Sequence, residues 1–281
     1  NDRLRLDEHG LPKNSNIYHG SGGFRGTRAD CFDLGEDVDP RTRIDLFQKK
    51  LLDDCGIDRA ILQGEYTPAV TALGDHPAVV AVYAVCGSPK LYGQRYYDPI
   101  YAACVDHGLA FALHFSNEGS GMNPAPTAAG HPSYYAETYL IRPQFYQAHL
   151  SSFIFEGTFE KFPELKMAFL ESGFGWVPSF RWRADAAWKA LRTQTPWVKR
   201  LPSEYIADHI RFSTQPFEDP DPPSALAHLL SEMNAGRTLM FASDFPHWDF
   251  DPPEEIARRL PATLRQGVLE ETAFATYPKL T

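Results

Sequence analysis

The sequence predicts an α/β fold of the (β/α)8 barrel type, with residues 1–281 forming a single domain. Three observations support this prediction. Short apolar runs alternate with segments of helical spacing, which is the pattern of parallel strands joined by helices. The length suits one barrel, since such barrels commonly have about 250 residues. Several apolar runs end in a histidine or a carboxylate, as strands do at the catalytic end of a barrel.

Composition and charge limit the classes of partner. Hydrophobic residues make up 43% of the chain and charged residues 22%, which provides for a large core. The formal net charge of −9 argues against nucleic acid or an anionic membrane as a partner, because both require a basic face. No membrane span is expected, because no run of about 18 apolar residues occurs.

The cysteines indicate the cellular compartment. Cys31, Cys55, Cys86 and Cys104 show no Cys-x-x-Cys spacing. In a chain of this length they are typical of buried, reduced thiols and not of a disulfide framework or a zinc ribbon. The first residues do not have the pattern of a signal peptide. We therefore expect a cytoplasmic protein.

The first third of the chain begins without clear periodicity. Residues 1–40 contain the stretch Gly20-Ser21-Gly22-Gly23 and are predicted to form a loop-rich arm. Apolar residues at helical spacing predict a helix over residues 42–56. Residues 57–63 predict a short strand. Residues 78–85 are almost wholly apolar, which predicts a strand buried on both faces.

The alternation continues in the middle of the chain. Residues 98–107 predict a helix, and residues 109–114 predict a strand that ends in His114. Residues 115–132 are rich in Gly, Pro and Asn and predict a loop. A long helical stretch is then predicted to run through Phe155.

Three more predicted strands complete the pattern. Residues 165–171 predict a strand that ends in a glutamate, and a Trp-rich helix is predicted for about residues 176–191. A short strand at residues 209–213 precedes a helix at residues 226–233, and residues 237–243 predict the last strand. The chain thus contains six predicted strands of a fold that has eight.

Two local side-chain arrangements are also predicted. The segment Asp251-Pro252-Pro253-Glu254 has the pattern of a capping box with proline at the first helical position. Arg181 and Asp185 have the i,i+4 spacing of a surface ion pair on a helix.

Three predicted strands end in residues that bind metals or transfer protons: His114, Glu171 and Asp244. Imidazole nitrogens and carboxylate oxygens are the usual ligands of zinc, iron and manganese. His114 and Asp244 are therefore candidate ligands of one divalent metal, with zinc expected and manganese or iron as alternatives. A metal acidifies its water, and Glu171 is the candidate group that carries the proton.

Each of these residues also has an ordinary structural alternative. A lone histidine such as His114 can donate to a backbone carbonyl in the core. Glu171 can cap a helix, and Asp244 can form a turn or an N-cap. His247 is a candidate substrate contact, or else a loop residue hydrogen-bonded to Asp249.

Two further residues are candidate substrate contacts. Asn117 lies in the predicted loop of residues 115–132, which is expected to help form the pocket. Trp176 belongs to an aromatic set that is mostly packing, of which one or two members can line a pocket.

Four stretches of the chain form a recognisable combination. They are residues 157–166, residues 171–178, residues 202–205 and the segment Phe241-Ala242-Ser243-Asp244-Phe245-Pro246-His247-Trp248-Asp249-Phe250. Together they resemble the amidohydrolase-related family of metal-dependent barrels, which includes aminocarboxymuconate-semialdehyde decarboxylase and related hydrolases. The resemblance extends from about Tyr97 to Tyr277.

The resemblance implies roles for individual residues. Asp244 corresponds to the metal ligand of the last strand, and His114 to the histidine ligand of the fifth strand. Glu171 stands where the decarboxylases of the family have a catalytic histidine. The Glu-Ser-Gly form of this turn is similar to a branch described as metal-dependent hydrolases. The resemblance and the aromatic surface between Trp176 and Trp197 also suggest a homodimer.

The chain departs from the family at its start. The family's first strand carries two metal ligands as His-x-His or Asp/Glu-x-His, and no His-x-His occurs here. The first and third barrel strands are not identifiable either. A barrel without them would expose sheet edges and apolar faces, so we expect the real polypeptide to contain further segments.

The sequence therefore supports several hypotheses about function. The first is a metal-dependent hydrolase that acts on a small carboxylated or cyclic organic molecule through a metal-activated water. Non-oxidative decarboxylation is an alternative within the same family. A metal-free, non-catalytic relative that acts as a binding subunit is another. The last is a metal-free enzyme that uses Glu171 and His247 as acid and base.

Overall fold

A computed structural model describes residues 75–116, 126–245 and 247–280. In these segments five strands form one parallel sheet, in the order β1-β2-β3-β4-β5. The strands are β1 (Ala81–Val85), β2 (Ala110–His114), β3 (Met167–Leu170), β4 (Ile210–Ser213) and β5 (Leu239–Met240). Neighbours in the sheet are also neighbours along the chain, which is the strand order of a (β/α)8 barrel.

Helices connect the strands, as parallel pairing requires. They are α1 (Asp98–Asp106), α2 (Tyr135–Phe155), α3 (Thr158–Lys161), α4 (Val177–Leu191), α5 (Pro202–His209), α6 (Pro223–Glu232), α7 (Ala235–Thr238), α8 (Pro253–Arg259) and α9 (Thr272–Thr276). Short 3-10 or π turns lie at Arg95–Tyr97, Arg192–Gln194, Ala262–Leu264, Gly267–Glu271 and Pro278–Leu280. Among the helices of the described segments, none is both long enough and apolar enough to span a membrane.

The two faces of the sheet are packed differently. Because side chains alternate between faces along a strand, each strand contributes to two layers. Large side chains of the strands, including Phe111, Leu113, Phe169 and Phe212, pack in the main core together with residues of the helices. The opposite face carries smaller residues, Ala110, Ala112 and Ala168 among them, and Tyr277 packs against it. Both faces are therefore covered, as the apolar strand sequences predict.

The strand register determines which residues meet at the carboxyl edge of the sheet. His114 pairs with Val85 on one side and with Leu170 on the other. Glu171, the residue after β3, therefore lies beside the end of β2.

The predicted elements of the described segments are confirmed with boundaries shifted by a few residues, except for the last strand. Residues 237–243 were expected to form it, but β5 has only two residues. Asn234 adopts a left-handed conformation with φ of 55° and starts the short helix α7. The Thr238 hydroxyl donates to the carbonyl of Met233 at 2.7 Å, and the Phe241 amide donates to the carbonyl of Val268 at 2.8 Å. Thr238 belongs to α7, and the amide of Phe241 bonds to a residue outside the sheet.

The predicted capping box before α8 is wrong. Pro252 is the N-cap residue and provides no side-chain cap, although Pro253 does stand at the first helical position. The Asp251 carboxylate instead accepts a hydrogen bond from the Phe217 amide at 2.9 Å. Asp251 thus joins the loop after β4 to the loop after β5, and burial raises its pKa to about 6.

The predicted ion pair on α4 does not form between the two described residues either. The Arg181 guanidinium donates to the carbonyl of Glu232 at 2.6 Å. The Asp185 carboxylate accepts a hydrogen bond from the Ser203 amide at 2.8 Å. Both side chains therefore join α4 to neighbouring elements. The predicted arm, the helix at residues 42–56 and the strand at residues 57–63 lie outside the described residues.

His149 on α2 gives stability a pH dependence. The side chain is buried, Nδ1 accepts a hydrogen bond from the Tyr92 amide, and Nε2 donates to the carbonyl of Cys86. Burial lowers the pKa of His149 to about 4, whereas an unfolded histidine titrates near about 6.5. The stabilising contribution is therefore present above about pH 6.5 and is lost as the pH falls towards about 4, because only the unfolded chain takes up the proton.

A glutamine substitution isolates this contribution. His149→Gln retains one donor and one acceptor but does not titrate. We expect the unfolding free energy of the wild type to fall more steeply between about pH 6.5 and 4 than that of the variant. Urea denaturation at a series of pH values measures both slopes. Equal slopes would show that His149 does not contribute to the pH dependence.

Candidate active site

The residues predicted at three strand ends lie together at the carboxyl edge of the sheet. Nε2 of His114 lies 2.7 Å from Oε1 of Glu171. One carboxylate oxygen each of Glu171 and Asp244 and one ring nitrogen of His247 lie within 4.8 Å of one another. We refer to His114, Glu171, Asp244 and His247 as the strand-end cluster. Parallel strands bring these four residues together because their carboxyl ends share one edge.

The two carboxylates of the cluster stand on unusual backbone. Glu171 has φ of 53° and Asp244 has φ of 55°. For residues other than glycine the left-handed region costs about 1–3 kcal/mol, although aspartate tolerates it better than glutamate. The Glu171 amide donates to the Ser213 hydroxyl at 2.9 Å, which helps to hold this conformation. Backbone strain of this kind concentrates at functional sites.

Both ring nitrogens of His114 face oxygen atoms. Nδ1 lies 2.5 Å from the carbonyl oxygen of Phe115, and Nε2 faces Glu171. A neutral imidazole donates from only one nitrogen. With Nδ1 as donor, Nε2 either carries a second proton or directs its lone pair at a cation. Burial would lower the pKa of His114, but the charge of Glu171 and the hydrogen bond to it, together with the charge of Asp244 and the Phe115 carbonyl, outweigh burial and raise it.

Asp244 and His247 form a second pair. Oδ2 of Asp244 lies 2.7 Å from Nδ1 of His247, and the two side chains are 17% and 39% exposed. Burial would lower the pKa of His247, but the hydrogen bond to Asp244 and its charge raise it to about 9. Burial, and then the charge of Glu171, raise the pKa of Asp244. A buried carboxylate that orients an imidazole is a common arrangement in acid–base catalysis.

Arg142 on α2 is a residue of the site that the sequence analysis missed. Its Nη1 donates to Oε2 of Glu171 at 2.9 Å, and the two side chains are only 5% and 7% exposed. The guanidinium carbon lies 3.5 Å from the centre of the Phe115 ring and 4.4 Å from that of Tyr139. Arg142 is thus buried between two aromatic rings and bound to a carboxylate of the cluster.

A spacing pattern in the sequence could have identified Arg142. Five side chains lie on one face of α2, alternately four and three residues apart. Each is either a ring that bears a polar group or a guanidinium: Tyr135, Tyr139, Arg142, Tyr146 and His149. Such spacing places side chains in one row along a helix. Tyr146 continues the row by accepting from the Phe115 amide and donating to the Leu170 carbonyl. This row faces the carboxyl ends of β2 and β3.

The charges around Glu171 keep it ionised. Burial alone would raise the pKa of Glu171, but the charge and the hydrogen bond of His114, together with the charges of Arg142 and His247, outweigh burial and lower it. Oε1 faces Nε2 of His114 and Oε2 accepts from the Arg142 guanidinium, so both oxygens of the carboxylate are engaged. A carboxylate of this kind is a fixed negative charge in the site and a poor proton carrier near neutral pH.

The other predicted substrate contacts have different surroundings. Trp176 donates from Nε1 to the carbonyl of Ser172 at 2.9 Å, and its ring packs edge-on against Phe180 and Phe212. These contacts are those of a packing residue at the start of α4, and contact with a substrate stays a prediction. Asn117 lies outside the described residues. Asp249, the alternative partner considered for His247, accepts a hydrogen bond from the Tyr139 hydroxyl at 2.8 Å.

The donor set of the cluster fits a divalent metal. Two imidazoles and two carboxylates offer the nitrogen and oxygen ligands that zinc, manganese and iron take. The Nδ1 of His114 is engaged by a backbone carbonyl, which is the arrangement that directs Nε2 at a metal. Glu171 raises the pKa of the neighbouring Asp244, and a cation between the two carboxylates would relieve this repulsion.

A parallel sheet in barrel order, with histidines and carboxylates close to its strand ends, is typical of barrel enzymes, whose catalytic groups lie at this edge. A sequence profile of the family described as Amidohydrolase matches residues 62–279. The match covers well over half of the chain, so the chain belongs to the amidohydrolase family. No curated protein matches the chain.

Several solved structures have a similar fold. An amidohydrolase from Mycobacterium avium subsp. paratuberculosis K-10 is 19% identical with a TM-score of 0.54, over 70% of this chain and 51% of that one. 5-Carboxyvanillate decarboxylase from Sphingomonas paucimobilis is 19% identical with a TM-score of 0.55, over 74% and 61%. 2,6-Dihydroxybenzoate decarboxylase from Rhizobium is 18% identical with a TM-score of 0.51, over 86% and 69%. The chain thus spans less than two thirds of the length of the first two.

Proposed function

We propose that this protein is a metal-dependent hydrolase that acts on a small carboxylated or cyclic organic substrate. The observation that carries the proposal is the strand-end cluster, in which the partly buried Asp244 orients the more exposed His247 beside His114 and Glu171. A histidine oriented by a carboxylate at a candidate metal site has the parts that hydrolysis requires: ligands for the metal and a group that moves a proton.

His114 and Asp244 are the proposed ligands of the metal, and Glu171 lies within reach of the same position. A bound divalent metal supplies Lewis acidity, which acidifies water and polarises a substrate carbonyl. Zinc is the expected metal, with manganese or iron as alternatives. The fixed charge of Glu171, held by Arg142, orients His114 from the side of Nε2.

We assign proton transfer to His247, whereas the sequence alone suggested Glu171. The ring of His247 is 39% exposed and its Nδ1 is held by Asp244, which directs the other side of the ring away from that carboxylate. With a pKa of about 9, His247 carries a proton near neutral pH and can give it to the leaving group, and its neutral form can take a proton from the attacking water. Glu171 is 7% exposed and has both oxygens engaged, so its role is to fix charge and geometry.

Decarboxylation is the second candidate, and an aromatic wall beside the cluster favours it. The Trp248 ring lies 5.5 Å from that of Tyr139 and 6.3 Å from that of Tyr135, and all three side chains are only partly buried. Flat aromatic surfaces suit a planar ring as substrate. Two proteins of similar fold are named as decarboxylases of ring-containing carboxylic acids.

The remaining parts of the proposal concern organisation. We propose one barrel domain for residues 1–281, with residues 1–40 as an arm, in a cytoplasmic homodimer. Trp182 and Trp197 are 61% and 48% exposed, which supports an aromatic contact surface. Sedimentation velocity with a Trp182→Glu variant tests the dimer, because a charge at the contact should shift the protein towards the monomer.

A substrate screen tests the proposed reaction. Full-length protein purified without chelator is supplied with zinc or manganese and offered lactones, amides and aromatic carboxylic acids. Mass spectrometry of the products reports hydrolysis as the addition of the elements of water, and release of carbon dioxide reports decarboxylation. We expect hydrolysis that chelation abolishes and metal restores. His247→Gln should lower kcat by roughly 10²–10⁴-fold while bound metal stays unchanged.

Three results would contradict parts of this account. Turnover that survives exhaustive chelation would argue for metal-free catalysis. Loss of metal in the His247→Gln variant would make His247 a ligand and not the proton carrier. Carbon dioxide release without hydrolysis would select the second candidate.

A further inference from the structure

We propose that Arg142 is a positioning residue for the metal site: it holds the Glu171 carboxylate against His114 and so maintains the arrangement in which the strand-end cluster binds a divalent cation. The proposal rests on the function proposed above. It concerns a residue on α2, at the carboxyl edge of the sheet but not at a strand end.

The two carboxylate oxygens of Glu171 have different partners. Oε2 accepts from Nη1 of Arg142 at 2.9 Å, and Oε1 lies 2.7 Å from Nε2 of His114. The guanidinium therefore fixes one oxygen and leaves the other directed at the nitrogen that would bind the metal. Groups that orient metal ligands in this way commonly change metal affinity by about 10–100-fold when they are mutated.

The contacts of the Arg142 side chain require a guanidinium. Nη1 binds Glu171, Nη2 donates to the Tyr135 hydroxyl at 3.1 Å, and the flat group lies between the rings of Phe115 and Tyr139. A lysine would supply the charge but neither the fork of donors nor the flat surface. Charge alone therefore does not explain why arginine occupies this position.

Arg142 connects the loops that follow three strands. Phe115 follows β2 and Glu171 follows β3. Tyr135, which accepts from Arg142, also lies 3.4 Å from Nε1 of Trp248 in the loop after β5. The loops after β2, β3 and β5, which hold or adjoin residues of the strand-end cluster, therefore each contain a residue that contacts Arg142 or its partner Tyr135.

A purely structural ion pair is the competing interpretation. Buried pairs are often no better for stability than apolar residues of the same volume. Within the described part of the chain, Nε of Arg142 has no hydrogen-bond partner, so the burial of this cation is not fully compensated. Glu171 also keeps a left-handed backbone, with φ of 53°. The unpaired Nε of Arg142 and the strained backbone of Glu171 both cost stability. Such costs are easier to understand if the ion pair has a role in the metal site.

Cobalt binding distinguishes the two interpretations. Full-length metal-free protein is titrated with Co²⁺, with affinity measured by calorimetry and ligand geometry by the visible absorption bands. We expect Arg142→Lys to weaken Co²⁺ binding by about 10–100-fold and to change the bands. Arg181→Lys is the matched control: Arg181 donates to the Glu232 carbonyl away from the cluster, so affinity and bands should be those of the wild type.

Two more variants separate the positioning role of Arg142 from an effect on folding. In a Glu171→Gln background, Arg142→Lys should add little further loss, because Arg142 acts through Glu171. Tyr135→Phe keeps the ion pair and removes the acceptor of Nη2, so it should fold and weaken Co²⁺ binding by a smaller factor. Tyr135→Phe serves as the test if Arg142→Lys does not fold.

The outcomes are distinct. Wild-type affinity and bands in the Arg142→Lys variant, or in Tyr135→Phe where the first does not fold, would overturn the positioning role and leave the proposed function standing. A wild-type protein that binds no Co²⁺ would overturn the proposed function and the positioning role together. Equal losses from Arg142→Lys in the wild-type and Glu171→Gln backgrounds would show that Arg142 does not act through Glu171.

Discussion

Replacing Asp244 with asparagine is expected to remove most of the bound metal and to lower turnover by orders of magnitude. Asn retains the shape of the side chain but loses the charge that makes Asp a ligand of divalent metals. The same change weakens the bond to Nδ1 of His247, which Asp244 holds at 2.7 Å. One substitution thus affects both the proposed ligand set and the proposed proton carrier. Elemental mass spectrometry and initial rates measure the two effects.

Asp251→Asn is the matched control for this prediction. Asp251 is also a partly buried aspartate in the segment after β5, but its carboxylate accepts from the Phe217 amide. Metal content should therefore be that of the wild type. If Asp244→Asn retained metal and rate, the assignment of Asp244 as a ligand would be lost.

Replacing Glu171 is expected to have the largest effect on stability. Glu171→Gln leaves the Arg142 guanidinium buried, at 5% exposure, without an anionic partner. Removal of one member of a buried pair typically costs about 3–5 kcal/mol. Urea denaturation of the metal-free protein measures the unfolding free energy. The double substitution Glu171→Leu with Arg142→Met should recover much of the loss, because neither charge of this pair then remains buried.

An exposed pair provides the comparison. Arg200 and Asp208 are joined at 2.7 Å but are 41% and 50% exposed. Asp208→Asn should lower the unfolding free energy by less than about 1 kcal/mol, since solvent screens the pair. An equally small effect of Glu171→Gln would contradict the view that Arg142 depends on Glu171.

The strands were predictable where local pattern decides them. The run at residues 109–114 is apolar and short and ends at His114, and β2 covers nearly the same residues. The last strand was predicted too long, because its limits depend on partners far along the chain. The Phe241 amide bonds to the carbonyl of Val268, which no local pattern at residues 237–243 reveals.

The positions of the strand-end cluster were predictable for a related reason. His114, Glu171 and Asp244 each end an apolar run, and parallel strands bring such ends to one edge. Arg142 was not predicted, because an arginine in a helix is usually exposed. Its burial depends on Phe115 and Glu171, which come from two other segments.

The charge state of Glu171 could not be read from its own segment. The sequence suggested a proton carrier, whereas His114 and Arg142 lower its pKa and engage both oxygens. A pKa follows from the neighbours of a group in space, and here the neighbours come from β2 and α2. The sequence therefore predicted that these residues lie together at one edge of the sheet, and their individual roles stay predictions.

The most direct test of the central claim is the metal content of the full-length protein, purified without chelator and measured by elemental mass spectrometry. The strand-end cluster predicts about one zinc, manganese or iron per chain, lost in the Asp244→Asn variant. A wild-type protein that holds no divalent metal, and takes up none when zinc or manganese is supplied, would contradict the claim that this edge of the sheet is a metal-dependent active site.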